Sequence, residues 1–316
     1  MTPGPKDLPL ACPCALKCAL RRVAEGYLCT GEGCPHAEPP LAFPMAGDLP
    51  VLISELRTDT VCTMTGDKTY VERRGEGGGR LRALLHGVSE TTRRNCARFV
   101  DALTDATERP RVLVIGGGER GSGTQALWED DRIEVHSVDI YPSDNVDVIC
   151  DGHYLPFADA SYDGVWIQAV LEHVVEPQAV VAEIHRVLRS GGLVYAETPF
   201  MQQVHEGAYD FTRFTVLGHR YLFRRFDAID LGGNKGPEVA LAWSVRYFVW
   251  AVTRSRRLAR VTGLATGLVL RPFGRLASGA SMFDAASGVY FLGARSDGPP
   301  ITHKALVSLY RGQFPR

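Results

Sequence analysis

A glycine-rich segment, VLVIGGGERGSG at residues 112–123, constrains the fold of this chain more than any other feature of its sequence. The four residues before the first glycine are apolar and mostly β-branched, as in a strand that is buried on both faces. A glycine turn at the carboxyl end of such a strand lets the backbone approach a bound ligand closely, with a helix following. The segment therefore predicts an α/β domain with a ligand site at this strand end.

The chain after Pro110 repeats this alternation of short apolar runs and helical stretches. The predicted strands are RVLVIG (111–116), IEVHSVD (133–139), VDVIC (146–150), DGVWIQ (163–168), LVYAET (193–198), AIDLG near 228 and GVYFLGAR near 288. Between them, residues 177–189 carry one apolar stripe at helical spacing. Strands that are separated by helices form βαβ units, so the pattern predicts a parallel sheet covered on both faces.

Carboxylates stand at the ends of the next two predicted strands. Asp139 ends the second strand, 23 residues after Gly116, and Asp151 follows the third. A carboxylate at the first of these positions can accept hydrogen bonds from both hydroxyls of a ribose. A glycine turn with helix-capping aspartates is the structural alternative, but three such features at successive strand ends favour a nucleoside ligand.

Three longer segments carry a family resemblance: VDIYPS, DGHYLPFADASYDGVWIQAVLEHV and EIHRVLRSGGLVYAETPF. Their order and spacing resemble the successive motifs of the class I S-adenosylmethionine-dependent methyltransferases, over about residues 109–235 and the late strand near 290. The resemblance implies a Rossmann-like, doubly wound α/β fold with a seven-stranded, mostly parallel sheet. It also implies S-adenosylmethionine as cofactor and methyl transfer as the reaction.

The same resemblance implies roles for individual residues. Gly116 and Gly118 line the methionine portion of the cofactor, Asp139 binds the ribose diol, and Asp151 accepts from the adenine amino group. Gln168 lies beside the sulfonium. The expected cofactor set is completed by Gly117, Glu119, Ile140 and Gly152.

One position departs from the family pattern. The acidic residue usually found two positions before the first glycine is replaced by Val114. Glu119, just inside the loop, is the expected substitute for binding the methionine ammonium group. The departure also keeps a non-catalytic alternative, in which a pseudo-methyltransferase binds cofactor or a partner without turnover.

The segment PFMQQVHEGAYDFTRFT (199–215) follows the fifth strand, where this fold places the rim of the acceptor pocket. A sulfonium methyl group is already activated, but an acceptor hydroxyl must lose its proton, and histidine suits that task at neutral pH. We therefore expect His205 to be the general base, oriented by Asp210, with Arg213 pairing with an acid or an anionic acceptor. Glu172 and His173 are rival candidates.

A purely structural reading of this segment also stands, in which Asp210 and Arg213 only clamp the loop. The segment is similar to that of bacterial methyltransferases associated with glycan or natural-product assembly. We expect O-methylation of a hydroxyl on a sugar, glycolipid or natural-product-type small molecule, with an RNA methyltransferase as the alternative.

Five of the eight cysteines are crowded into residues 12–34. Beside a large domain, such clustering indicates thiolates around zinc rather than disulfides. The candidates are Cys12, Cys14, Cys18, Cys29, Cys34 and His36, and we select Cys14, Cys18, Cys29 and Cys34 as ligands of one structural zinc ion. The segment resembles the zinc ribbons of RNA and protein methyltransferase activator subunits and of some methyltransferase N-termini.

These features predict three regions. Residues 1–56 form a zinc-ribbon-like domain, residues 57–108 a linker with lead-in helices, and residues 109–316 the methyltransferase domain. Within the last region, residues 239–283 are predicted to form a helical lid inserted before the final strand.

The predicted lid has an unusual charge distribution. It contains seven arginines and no Asp or Glu among aromatic and aliphatic residues. Such helices can lie in the headgroup region of an anionic membrane, cap a pocket over the acceptor, or bind RNA. We expect a small-molecule or glycan acceptor and peripheral contact with an anionic membrane, with nucleic acid as the weaker alternative.

The whole chain gives no further electrostatic preference, because 35 basic and 36 acidic residues leave a net charge of -1. Its first residues lack the basic and apolar regions of a signal peptide. No apolar run approaches the roughly 20 residues that span a bilayer. The expected location is the cytoplasm, including the inner face of the membrane.

Overall fold

The computed structural model describes residues 6–37, 40, 42–54, 89–274, 276 and 279–314. Residues 57–88 of the predicted linker (57–108) therefore lie outside the described residues, as does Arg275 of the predicted lid. The described strands form a small antiparallel sheet near the N-terminus and a large seven-stranded sheet. The small sheet has the order β1 (Leu20–Val23), β2 (Gly26–Cys29), β3 (Ala42–Ala46) and β4 (Leu49–Pro50).

The large sheet confirms the predicted fold class. Its strands are β5 (Arg111–Ile115), β6 (Glu134–Asp139), β7 (Val148–Ile149), β8 (Tyr162–Gln168), β9 (Leu188–Pro199), β10 (Phe226–Gly233) and β11 (Gly288–Arg295). They lie in the order β10-β11-β9-β8-β5-β6-β7, and β11 runs antiparallel to both of its neighbours. Because β5, β6, β7, β8 and β9 are parallel, their carboxyl ends meet at one edge of the sheet.

Helices cover both faces of this sheet and extend beyond it. They are α1 (Glu90–Ala106), α2 (Gln125–Glu129), α3 (Pro177–Val187), α4 (Val216–Leu222), α5 (Pro237–Thr253), α6 (Arg256–Gly274), α7 (Ala280–Ala285) and α8 (His303–Ser308). Local signals set several of the helix starts: the Ser89 side chain caps α1 by accepting from the backbone of Thr92, and Pro177 opens α3.

The central strands are buried because apolar side chains project from both faces of the sheet and pack against the helices. On one face, Trp166 of β8 stacks on Tyr195 of β9 with ring centroids 4.0 Å apart, and Phe99 of α1 packs edge-on against the same tryptophan. On the other face, Val180 and Ile184 of α3 are fully buried in the cluster that contains β5 and β8. This rigid core holds the strand ends in place.

The N-terminal unit packs directly on the large sheet. Val51 forms a parallel bridge with Ile149 of β7, and Leu10 forms an antiparallel bridge with Phe157. Lys17 adds a largely buried ion pair with Glu183 of α3, with the charged atoms 3.0 Å apart. The unit therefore shares the core of the large sheet, a contact that its composition did not indicate.

Helices α5 and α6 form a hairpin that makes up most of the predicted lid, and nearly all of its described side chains are at least partly exposed. Among the described residues of these two helices, the buried ones are Ala240 and Ala259. Large apolar side chains such as Phe248 and Val269 are more than two-thirds exposed. In the described part of the chain, no helix combines the length and apolar character needed to cross a bilayer.

Candidate functional site

The glycine loop follows β5 and requires glycine for steric reasons. Gly116 has a φ of +78°, and a Cβ atom there would come within 2.2 Å of a methyl group of Val170. Its backbone N–H donates to the carbonyl of Val138 at 2.9 Å, which ties the loop to β6. The loop therefore passes close to the sheet edge.

Asp139, at the end of β6, orders this loop. Its carboxylate accepts from the backbone N–H of Gly118 at 2.8 Å and from that of Ile140 at 2.7 Å. Burial raises the pKa of Asp139 to about 6, although these backbone donors oppose the shift. The carboxylate that the sequence assigned to a ribose thus lies against the glycine loop.

Asp151 lies at the neighbouring strand end and caps the short turn of residues 152–154. One of its oxygens accepts from the backbone of His153 at 2.9 Å and contacts the ring Nδ1 of the same residue at 2.6 Å. Gly152 begins the turn. The predicted cofactor residues on β5, β6 and β7 therefore lie along one edge, although their individual contacts with a cofactor stay predictions.

Gln168 ends β8 beside a buried carboxylate that the sequence analysis did not single out. Its amide Nε2 donates to Glu197 at 2.9 Å, and Thr92 of α1 donates to the same carboxylate at 2.6 Å. The hydroxyl of Tyr195 donates to it as well. Burial raises the pKa of Glu197. The available signal in the sequence was a glutamate directly after the apolar run LVYA (193–196).

Glu119, the expected partner of the methionine ammonium group, is exposed, whereas Val114 is buried in the core. The role of Glu119 in binding the ammonium group remains a prediction.

In the loop after β9 (200–215), which we call the acceptor loop after its predicted role, Asp210 lies behind His205. The Nδ1 atom of His205 lies 3.2 Å from a carboxylate oxygen of Asp210, which also accepts the backbone N–H of His205 at 2.8 Å. Arg213 donates to both oxygens of Asp210 and to the backbone of Gln202 and Gln203. Burial favours a higher pKa for Asp210, but these donors hold its pKa well below the usual range.

The contacts of Asp210 with Arg213 and with His205 are compatible with both predicted roles of Asp210, as part of a structural clamp and as the group that orients His205. Burial, together with the neighbouring His173, lowers the pKa of His205. A neutral imidazole that donates through Nδ1 carries its lone pair on Nε2.

Glu172 and His173 meet His205 on the side away from Asp210. We call these three residues the His–Glu cluster. The Nε2 atoms of His173 and His205 lie 3.6 Å and 4.0 Å from the same carboxylate oxygen of Glu172. Burial raises the pKa of Glu172 to about 8 and lowers that of His173. The three residues that the sequence offered as candidate bases therefore lie together in one cluster.

The N-terminal cysteines form a second cluster, with a composition different from the predicted ligand set. The Sγ atoms of Cys12 and Cys34 are 3.7 Å apart, and the Nδ1 atom of His36 lies 3.4 Å and 3.8 Å from them. Cys14 completes this buried group, whose ligand atoms all lie within 4.8 Å of one another. Zn–S bonds of about 2.3 Å in a tetrahedron place sulfurs about 3.8 Å apart, so the group fits zinc.

The remaining predicted ligands, Cys18 and Cys29, form an overlapping group with Cys34. His36 has a further feature of a zinc ligand, because its other ring nitrogen lies 2.7 Å from the hydroxyl of Ser54. Cys34 belongs to both groups, and the choice of four ligands among these six residues stays a prediction.

Residues 113–196 match a family model described as a methyltransferase domain. A demethylmenaquinone methyltransferase of Renibacterium salmoninarum is 33% identical over 166 residues, which cover 49% of this chain and 66% of that protein. The match thus spans just under two thirds of the relative's length.

Solved structures that match part of this chain include two methyltransferases. One is a SAM-dependent methyltransferase from Archaeoglobus fulgidus, with 15% identity, a TM-score of 0.43, and coverage of 68% of this chain and 98% of that one. The other is phosphoethanolamine N-methyltransferase 2 of Haemonchus contortus, with 15% identity, a TM-score of 0.43, and coverage of 65% and 53%.

Proposed function

Because this chain belongs to the class I S-adenosylmethionine-dependent methyltransferases, we propose that it methylates a hydroxyl on a sugar, glycolipid or natural-product-type small molecule. The observation that carries this choice is the His–Glu cluster with Asp210 behind it. An amine can attack a sulfonium methyl group unaided, whereas a hydroxyl must be deprotonated. A group of two partly buried histidines and one buried carboxylate serves that need.

The cofactor half of the proposal rests on the strand ends. Gly116, Gly117 and Gly118 would approach the methionine portion, and Asp139 with Ile140 would hold the ribose. Asp151 and Gly152 would face the adenine, with Gln168 beside the sulfonium and Glu119 near the ammonium group. Binding in this crevice at the carboxyl ends of parallel strands is the general behaviour of doubly wound sheets.

The acceptor half rests on the loop after β9. His205 would face the hydroxyl through Nε2, and Asp210 would orient its ring through Nδ1. Arg213 is committed to Asp210 and to backbone carbonyls, so its first role is to hold this pair in place. Aligning the acceptor oxygen, the methyl carbon and the sulfur supplies the remaining rate acceleration.

Methyl transfer from labelled S-adenosylmethionine to a panel of hydroxylated glycans, glycolipids and small molecules tests the proposal. We expect the His205→Ala variant to bind S-adenosylmethionine normally and to lose at least about 100-fold in turnover, the usual contribution of a group that activates a hydroxyl. His303→Gln, on exposed α8, is the matched control and should keep full activity. Methylation of RNA, or of amines alone, would contradict the hydroxyl assignment.

We also propose that the N-terminal unit holds one structural zinc ion, through Cys12, Cys14, Cys34 and His36. All four positions of a tetrahedral site are then filled by the protein, which is typical of a structural rather than a catalytic metal. The ion would contribute stability to a unit with few apolar residues of its own.

We propose further that the α5–α6 hairpin contacts an anionic membrane. Its exposed face combines apolar side chains, including Phe248, Val261 and Val269, with arginines. The segment 239–283 contains no acidic residue to neutralise them. The hairpin also touches the acceptor loop, because Gln203 donates to Ser244 at 3.2 Å and the hydroxyl of Tyr247 donates to the carbonyl of Val204. A membrane-bound acceptor would thus enter beside the site.

Flotation with vesicles tests this contact. Replacing Arg257 and Arg260 with glutamine should weaken binding to phosphatidylserine vesicles roughly 30-fold at low salt, since each arginine near such a surface contributes about 1 kcal/mol. The control changes Arg93 and Arg94 of α1 in the same way and should bind as the parent does. Equal binding by both variants, or binding to RNA in place of vesicles, would contradict the proposal.

A further inference from the structure

The His–Glu cluster has the composition and arrangement of a metal site, quite apart from its place in the acceptor loop. The side-chain ligand atoms of Glu172, His173 and His205 all lie within 4.8 Å of one another. The two imidazole rings have centroids 5.0 Å apart and are inclined at 75°. Each ring therefore presents its Nε2 atom to the same carboxylate from a different direction.

The opposite nitrogen of each ring is already engaged. The Nδ1–H of His173 donates to the carbonyl of Tyr209 at 2.7 Å. The Nδ1 of His205 lies 3.2 Å from the carboxylate of Asp210. Metal-binding histidines usually donate their second ring nitrogen to a carbonyl or carboxylate in this way, which orients the ring and leaves Nε2 as the ligand atom.

The surroundings of Glu172 give a second indication of a bound cation, independent of the distances within the cluster. Its side chain is fully buried. Among the described residues, neither of its carboxylate oxygens has a hydrogen-bond partner of normal geometry. A buried carboxylate without hydrogen bonds is costly unless a positive charge compensates it. The guanidinium of Arg213 bonds Asp210 and backbone carbonyls instead, so a cation bound beside Glu172 would supply a partner that its carboxylate oxygens otherwise lack.

We propose that Glu172, His173 and His205 bind one divalent transition-metal ion. Two imidazoles and one carboxylate on one side of an ion suit Mn²⁺, Fe²⁺, Co²⁺ or Zn²⁺ better than Mg²⁺ or Ca²⁺, which prefer oxygen ligands alone. Bond lengths of about 2.1 Å would bring the ligand atoms about 0.5–1.5 Å closer together, a change within reach of small side-chain rotations.

Three protein ligands leave open positions, and this gives the ion a role that rests on the proposed function. A hydroxyl bound at an open position loses its proton to solvent near neutral pH, because the ion lowers the pKa of the hydroxyl. The oxygen then attacks the methyl carbon: the O–C bond forms, the C–S bond breaks, and its electron pair stays on sulfur. The products are the methyl ether, S-adenosylhomocysteine and one proton.

In this arrangement the lone pair of His205 binds the ion, and Asp210 is a positioning residue. Direct removal of the proton by His205, the role expected from the sequence, is then the competing mechanism. The two mechanisms differ in their dependence on a metal ion and in the contribution of Glu172.

Electron paramagnetic resonance titration of the zinc-loaded full chain with Mn²⁺ tests the site without requiring a known acceptor. Mn²⁺ is the probe because it favours carboxylate and imidazole over the thiolates of the N-terminal unit. We expect one saturable Mn²⁺ site per chain. Glu172→Gln and His173→Gln should each weaken it by about 100-fold or more, the upper end of losses seen even for outer-shell partners of a metal.

Glu172→Gln conserves shape and removes the charge, and calorimetric binding of S-adenosylmethionine reports whether each variant is folded. The exposed His303→Gln should bind Mn²⁺ as the parent does. No saturable site in the parent, or unchanged Mn²⁺ binding in Glu172→Gln, would overturn the proposal. Full methyl transfer by chelated protein, with His205→Ala inactive, would instead establish direct proton removal. Loss of S-adenosylmethionine binding alone would refute the proposed function and leave the Mn²⁺ result to decide the site.

Discussion

Chelation of the proposed zinc ion is expected to unfold the N-terminal unit and to destabilise the large sheet with it. Structural zinc contributes roughly 10 kcal/mol or more in small metal-bound units. Cys12, Cys14 and Cys34 lie in the same buried cluster as Ile115 and Val165 of the central strands. Loss of the ion would therefore expose core side chains of the large sheet as well as those of the unit itself.

The measurement is thermal unfolding with parallel zinc analysis, before and after treatment with a strong chelator. We expect one zinc ion per chain and a large fall in the unfolding temperature after its removal. A matched pair of variants decides the ligands: Cys12→Ser should lose zinc, whereas Cys18→Ser should keep it. The reverse result would support the ligand set that includes Cys18 and Cys29. An unfolding temperature that does not change on chelation would contradict a structural zinc ion.

Substitution of Asp139 by alanine is expected to weaken S-adenosylmethionine binding about 10³-fold. Two hydrogen bonds from ribose hydroxyls to a charged acceptor contribute about 1.5–3 kcal/mol each. Asp139 also accepts from the backbone of Gly118 at 2.8 Å, so its loss loosens the glycine loop. Calorimetric titration measures the effect. The control is Asp144→Asn, an exposed carboxylate in the following loop, which should bind normally.

The same residue gives a pH dependence. Burial raises the pKa of Asp139 to about 6, and the ionised form is the better acceptor for ribose hydroxyls. Affinity for S-adenosylmethionine should therefore be constant above pH 7 and fall as the pH drops through about 6, where Asp139 takes up a proton. This fall should be absent in Asp139→Ala. Affinity that stays constant down to pH 5 in the parent would contradict the assignment.

Most of the fold was predictable because it depends on local patterns. Each of the seven predicted strands is present, and together they form the seven-stranded, mostly parallel sheet that the family resemblance implied. The β7 strand is shorter than predicted, at Val148–Ile149, since it lies at the sheet edge beside Val51. Gly116, Asp139 and Asp151 lie at the strand ends where the sequence placed them, and their contacts with a cofactor stay predictions.

The acceptor site was predictable only in part. His205 and Asp210 are five residues apart in one loop, and their contact follows from that proximity. Glu172 belongs to a different strand end, 33 residues earlier in the chain, and its approach to His205 depends on how the loop after β9 folds back. No spacing in the sequence encodes such a contact.

The N-terminal unit shows the same division. Clustering of cysteines indicated a metal, because thiolates at short spacing have few other uses beside a large domain. The choice among six candidates depends on distances that the small sheet imposes, and these bring His36 to Cys12. The sequence by itself determined the parallel sheet, the strand ends at which a cofactor is proposed to bind and the presence of a cysteine cluster, since periodicity, glycine turns and composition are local properties. Only the tertiary structure joined Glu172, His173 and His205 and seated the N-terminal unit on the sheet, because both depend on long-range packing that brings distant segments together.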